Sequence, residues 1–186
     1  MDEVAINEEA YYDKCRNSIG GLCRDHSGCI DLKATDYDSI LHASESVHGD
    51  NPPCHYGREA TVTVIAAFSQ TKYSPLPVLV SPTCKSETAD SAEVLIQQLL
   101  DCWHQHPDGK ARFGPVWCFS TDGDATRRLA CYNLFMGQKL GFSSSLYPDL
   151  SRLPGSNLQT GVYEITMDFD PKHLVKSACF ILRALL

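Results

Sequence analysis

Residues 115–121 read PVWCFST, a short, almost wholly apolar run that passes without a break into Asp122-Gly123-Asp124 and then ATRRLACYNLFM over 125–136. Apolar residues in so short a run, without polar alternation, fit a buried central strand. Asp-Gly is turn chemistry, and the mixed stretch after it predicts a helix from Ala125 to Met136. A buried strand leading straight into a helix is the repeating unit of an α/β sheet, and the rest of the chain is read outward from it.

Upstream, Ala60 to Phe68 (ATVTVIAAF) is rich in β-branched residues and is the strongest strand, with Pro77 to Val80 as a short companion. Ser91 is expected to cap a helix in which Val94, Leu95, Leu99, Cys102 and Trp103 recur at helical spacing, ended by His106-Pro107-Asp108-Gly109. Near the start, residues 9–13 and 19–23 read as a hairpin turning around Asn17-Ser18. Residues 31–58 are polar, close on Asn51-Pro52-Pro53 and read as a loop or insertion. Downstream, 143–161 is turn-rich, Val162 to Met167 alternates as a strand, and 171–186 reads as a terminal helix with Pro171 in its first turn. The apolar face of that helix is still running at Leu186, which reads as truncation. Strands first, then alternating helix and strand, predict a mixed α/β sheet flanked by helices.

A length of 186 residues suits one domain. With 43% hydrophobic and 21% charged residues, a disordered tail, a collagen-like repeat and a coiled coil are excluded. No run approaches the roughly 18 apolar residues of a membrane span. The first residues have neither the basic start nor the apolar run of a secretion signal, so nucleus or cytoplasm is expected. Sixteen basic against 23 acidic residues leave a net charge of −7, the wrong balance for a stand-alone nucleic-acid binder. The imbalance is uneven: Asp2, Glu3, Glu8, Glu9 and Asp13 precede the first base, whereas Lys172, His173, Lys176 and Arg183 near the end have no acid among them.

Nine cysteines without a secretion signal are expected as free thiols, with Cys118, Cys131 and Cys179 inside apolar runs. One cluster stands apart: Cys15, Cys23, His26 and Cys29, followed by Cys54 and His55. Cys23-x2-His26-x2-Cys29 has the compactness of a zinc half-site but matches no standard finger, so zinc and free thiols both remain open. Acids gather at three strand-like ends: Asp2-Glu3, Asp122-Gly123-Asp124 and Asp168-Phe169-Asp170. Carboxylates brought together there suit Mg²⁺ or Mn²⁺, while turn and capping roles are the alternative. Arg127 and Arg128 face either phosphates or solvent, Lys172 and Lys176 share a helix face, and His104 and His106 are expected at the surface. Trp103, Trp117 and Phe119 are core candidates. Ser120 and Ser145 lack any nucleophile context.

The segments "STDGDATRR" and "TMDFDPKHLVK", after an Asp-Glu near the first strand, resemble the catalytic region of P-element-like transposases, whose fold is RNase H-like. With "GLCRDHSG" and "REATVTVIAAFSQTKYSPLPVLVSPTCKSE" added, the similarity extends over nearly the whole chain to large transposase-like proteins numerous in mushroom-forming fungi. The resemblance implies Asp2 and Asp122 as the first two catalytic acids of an Asp-Asp-Glu triad, holding Mg²⁺ or Mn²⁺. It implies a nucleotide-binding element at Asp170 and Lys176, with His173 between them. The third acid, a glutamate, would lie beyond residue 186, with Asp168 or Asp170 as a substitute. The upstream DNA-binding module of such proteins has no counterpart here. The expectation is a single RNase H-like domain, incomplete at both ends, with little or no nuclease activity, weak DNA binding and self-association through exposed edges. A non-enzymatic interaction domain is the alternative, and a zinc-binding module the third.

Overall fold

The computed structural model describes residues 1–69, 71 and 74–169; the expected terminal helix lies outside them. The chain is mixed α/β and falls into two compact units, Met1–Glu87 and Thr88–Leu186. The first contains β1 (Asp2–Ala5), β2 (Tyr11–Asp13), β3 (Ser18–Gly20), a 3-10 turn at Ser27–Cys29, α1 (Tyr37–His48), β4 (Glu59–Ile65) and β5 (Leu76–Thr83). The second contains α2 (Ala89–Gln105), α3 (Lys110–Phe113), β6 (Cys118–Thr121), α4 (Ala125–Phe135), β7 (Gln138–Lys139), α5 (Tyr147–Leu150), β8 (Gln159–Thr160), a 3-10 turn at Val162–Glu164 and β9 (Thr166–Phe169).

In the first unit β1, β4 and β5 form an antiparallel sheet in the order β1-β4-β5, with Asp2 opposite Val62 and Val62 opposite Val80. The β-branched run does become a strand, but its inward face is polar. Thr61, Thr63 and Thr83 are buried, while Val64, Val78 and Val80 are exposed. Arg24 reaches one of them: its guanidinium donates to Thr61 Oγ1 at 2.9 Å and pairs with the nearly buried Glu87 carboxylate. The expected hairpin is β2-β3, whose turn is held by the Asp13 carboxylate accepting from the Cys15 and Arg16 amides at 2.9 and 3.3 Å.

Residues 31–58 are not all loop, because they contain α1. Asp36 caps it, accepting the Ser39 amide at 2.8 Å while the Ser39 hydroxyl accepts the Asp36 amide at 3.1 Å. This reciprocal box satisfies donors that a helix start otherwise leaves unpaired.

In the second unit α2 packs along α4. Thr88, not Ser91, caps α2; its hydroxyl accepts the Ser91 amide at 3.2 Å. The run from Pro115 forms a strand only from Cys118, and it pairs in parallel with β9 alone among the described residues. Phe119 and Thr121 are buried and Ser120 is exposed, so the strand is covered on one face rather than two. The predicted strand at 162–167 is displaced. Tyr163 and Glu164 take left-handed backbone (φ 63° and 59°), and β9 starts at Thr166. Ile96, Leu100, Phe119, Phe135 and Ile165 make the core, with the rings of Phe119 and Phe135 stacked 5.5 Å apart. Arg127, expected on a phosphate-facing or solvated surface, is 2% exposed; Arg128 is exposed. Trp103 and Trp117 are half-buried. Among the described residues no helix is long and apolar enough to cross a membrane.

Candidate functional site

Asp2 lies on β1 in the first unit and Asp122 follows β6 in the second. Asp2 is exposed, and its carboxylate accepts the Glu3 amide at 2.8 Å. The half-buried Asp122 accepts the Thr121 hydroxyl at 3.1 Å and the Asp124 amide at 3.3 Å. Gly123 supplies the left-handed residue of this turn (φ 81°). Asp124 caps α4 through the Thr126 and Arg127 amides at 3.0 and 3.4 Å. The exposed Asp168 stands opposite Ser120 in the β6-β9 ladder. Asp170, His173 and Lys176 lie outside the described residues.

The structure gathers thiols and imidazoles in the first unit. Residues 21–24 are tied to two neighbouring segments: the Cys23 amide donates to His55 O at 2.8 Å, the Gly57 amide to Gly21 O at 2.8 Å, and the Arg24 amide to Pro82 O at 3.0 Å. Gly21 sits at φ 89° with Glu9 O where a Cβ would stand, so glycine alone fits here. The chain then turns, with the His26 and Ser27 amides donating to Cys23 O at 3.2 and 2.9 Å, which brings the His26 ring back over Cys23. Cys84 arrives from the end of β5, ahead of a left-handed Lys85 (φ 70°).

The resulting geometry is compact. Cys23 Sγ, His26 Nδ1 and Cys84 Sγ all lie within 4.8 Å of one another, with His26 Nδ1 at 3.3 Å from Cys23 Sγ and 3.5 Å from Cys84 Sγ. Cys23 is fully buried, and the other two are half-buried. The ring of His55 lies 4.2 Å from that of His26, centroid to centroid. Cys29 and Cys54 are a separate pair, with sulfurs 3.5 Å apart. The sequence pattern Cys23-x2-His26-x2-Cys29 therefore joins the wrong third residue. Cys84 takes that place, brought in by strand pairing rather than by local spacing.

Electrostatics divide these thiols. Burial raises the Cys84 thiol, but hydrogen bonds with Ser86, His55 and Cys23 outweigh it and bring the group down to about 6. Burial pushes Cys23 up, and burial with the Cys29 contact pushes Cys54 up to about 11. Burial also lifts Cys131 to about 11, which suits the buried, unreactive role expected from its apolar run. Two thiols and an imidazole at this spacing could hold a borderline-soft metal ion such as zinc; oxygen-seeking Mg²⁺ has no comparable donor set here.

The second unit has a cavity of about 190 Å³ lined by Trp103, His104, Lys110, Tyr163 and Ile165. It falls short of the roughly 300–1,000 Å³ of ordinary ligand sites. His104 is not a free surface residue: its ring stacks on Tyr163 at 4.0 Å, and the Tyr163 hydroxyl donates to Asp101 at 2.8 Å, which raises the phenol. Compared with family models, curated proteins and solved structures, the chain matches none.

Proposed function

We propose that the chain is a transposase-derived, RNase H-like core whose ancestral reaction is metal-assisted hydrolysis and strand transfer at DNA phosphodiesters, with Asp2 and Asp122 as the catalytic, metal-binding acids. The observation that carries this reading is the placement of Asp122. It leaves the carboxyl end of β6, in a parallel pair, where α/β sheets build their sites. Element order adds support. Asp2 opens the antiparallel set β1, β4, β5, then α2 follows, then β6, α4 and the parallel β9. That succession, leaving aside the smaller elements, follows the element order of an RNase H-like core, although among the described residues β6 pairs with β9 and not with β1. Acids of this kind would hold Mg²⁺ or Mn²⁺, which would supply Lewis-acid polarisation and an activated water. A net charge of −7 opposes DNA, so weak or no activity on DNA is expected.

Thermal melting with and without Mn²⁺ tests the reading. The melting temperature rises with Mn²⁺, the Asp122→Ala variant loses that rise, and any slow plasmid nicking disappears with it. Nicking that survives in Asp122→Ala, or no Mn²⁺ shift in the parent, defeats the proposal. The exposed Val4, Val64, Leu76, Val78 and Val80 along the β1-β4-β5 sheet favour a second reading, a non-enzymatic interaction domain. That reading expects no Mn²⁺ shift.

A further inference from the structure

We infer that the first unit carries a zinc site in which Cys23, His26 and Cys84 are ligands and His55 supplies the fourth. This site is independent of the acids and of the nuclease reading.

Distance is the first argument. On a tetrahedron with zinc–sulfur bonds of about 2.3 Å and zinc–nitrogen bonds of about 2.0 Å, neighbouring sulfur and nitrogen atoms stand about 3.5 Å apart. The observed 3.3 and 3.5 Å from His26 Nδ1 to the two sulfurs match that edge. Two segments some sixty residues apart converge to make it, which chance exposure of thiols does not explain.

The hydrogen-bond surroundings of the sulfurs are the second. A thiolate only accepts hydrogen bonds, whereas a thiol both donates and accepts. Cys23 Sγ accepts the Cys84 amide at 3.3 Å, and Cys84 Sγ lies 3.0 Å from the Ser86 hydroxyl. Such N–H and O–H groups are the outer partners that metal-bound thiolates use. Cys29 and Cys54 are engaged elsewhere: both donate toward His26 O, at 3.0 and 3.4 Å, and their sulfurs face each other at 3.5 Å. They brace the turn that carries His26 and are not ligands. His55 is assigned as the fourth because its ring lies against that of His26, 4.2 Å between centroids. On binding, any proton still held by the two thiols passes to solvent, leaving Cys₂His₂ around Zn²⁺ with no net ligand charge beyond the two thiolates.

The test uses the whole chain. The protein purified in the presence of zinc is expected to hold one zinc per chain by elemental analysis after gel filtration. Replacement by Co²⁺ is expected to give the intense visible bands of tetrahedral cobalt, with sulfur-to-cobalt charge transfer. An octahedral cobalt spectrum, or no metal uptake, overturns the site without recourse to any variant. Competition against a chromophoric chelator then tests the ligands. Cys23→Ser, Cys84→Ser and His55→Ala each weaken zinc by more than the roughly 10–100-fold that an outer partner costs. Cys29→Ser and Cys15→Ser stay within tenfold of the parent. A loss in Cys29→Ser equal to that in Cys84→Ser, or unchanged affinity in His55→Ala, overturns the proposed set.

Discussion

Asp36 shows how a single side chain can start an element and tie it to pH. Its carboxylate accepts the Ser39 amide and lies close to the Ser39 hydroxyl, and these contacts hold its pKa below the ordinary aspartate value. The native state therefore binds the proton less readily than the unfolded chain. The cap's contribution is present above the ordinary value of about 3.9 and is lost as pH falls through the lower native one. A carboxyl-carbon NMR titration should place Asp36 below that value. Asp36→Asn keeps an acceptor at the cap and should remove this part of the acid sensitivity of α1. An Asp36 that titrates at or above the ordinary value would show that the box does not hold in solution. The pattern Asp36-x-x-Ser39 stands openly in the sequence, but its weight is easily lost among polar neighbours. Cys84 is different in kind. Nothing near it in the chain points to Cys23, and only the β4-β5 register and the Arg24 amide on Pro82 bring the two together.

Elements were readable where one physical cause dominates. β4 follows from β-branched residues, α2 from helical spacing of apolar ones, and α4 from the mixed stretch after an Asp-Gly turn. They were misread where causes compete. In α1 the apolar Ile40, Leu41, Ala43 and Val47 are thinly spread, and the Asn51-Pro52-Pro53 punctuation outweighs them. At Tyr163-Glu164 a strand-like alternation is overruled by left-handed backbone that neither residue type prefers. The strand-then-helix succession within 115–136 holds, and packing supplies a direct check. Phe135 on α4 is 1% exposed and stacks on Phe119 of β6, so it joins the helix to the strand that carries Asp122. Phe135→Ala should cost about 3–5 kcal/mol, read as a lower denaturant midpoint with an unchanged slope. A loss under about 1 kcal/mol would mean that this joint contributes little beyond a surface contact.

At the scale of the molecule the two units hold themselves together differently. The second buries Ile96, Leu100, Phe119, Phe135, Leu140 and Ile165. In the first, the apolar residues buried among the described ones are Leu22, Cys23, Ala43, Cys54 and Ala60, with a single large aliphatic among them. Small cores of this kind depend on staples such as metals. If zinc is that staple, chelation should act on one unit and spare the other, and amide exchange can see this. The amides of Cys23, Arg24, Gly57 and Arg58 are bonded around the cluster, to His55, Pro82, Gly21 and Thr83 respectively. Those of Leu140, Gly161 and Thr166 are bonded within the second unit, to Leu158, Ile165 and Trp117. Free zinc at about a thousand times its dissociation constant contributes about 4 kcal/mol, equivalent to about a thousandfold in opening. Stripping it should speed exchange in the first group by up to that factor and leave the second group within a few-fold. Equal acceleration in both groups would mean that the units melt as one body. No acceleration in either would mean that hydrogen bonds among thiols and imidazoles suffice, and that the first unit needs no ion to stay folded.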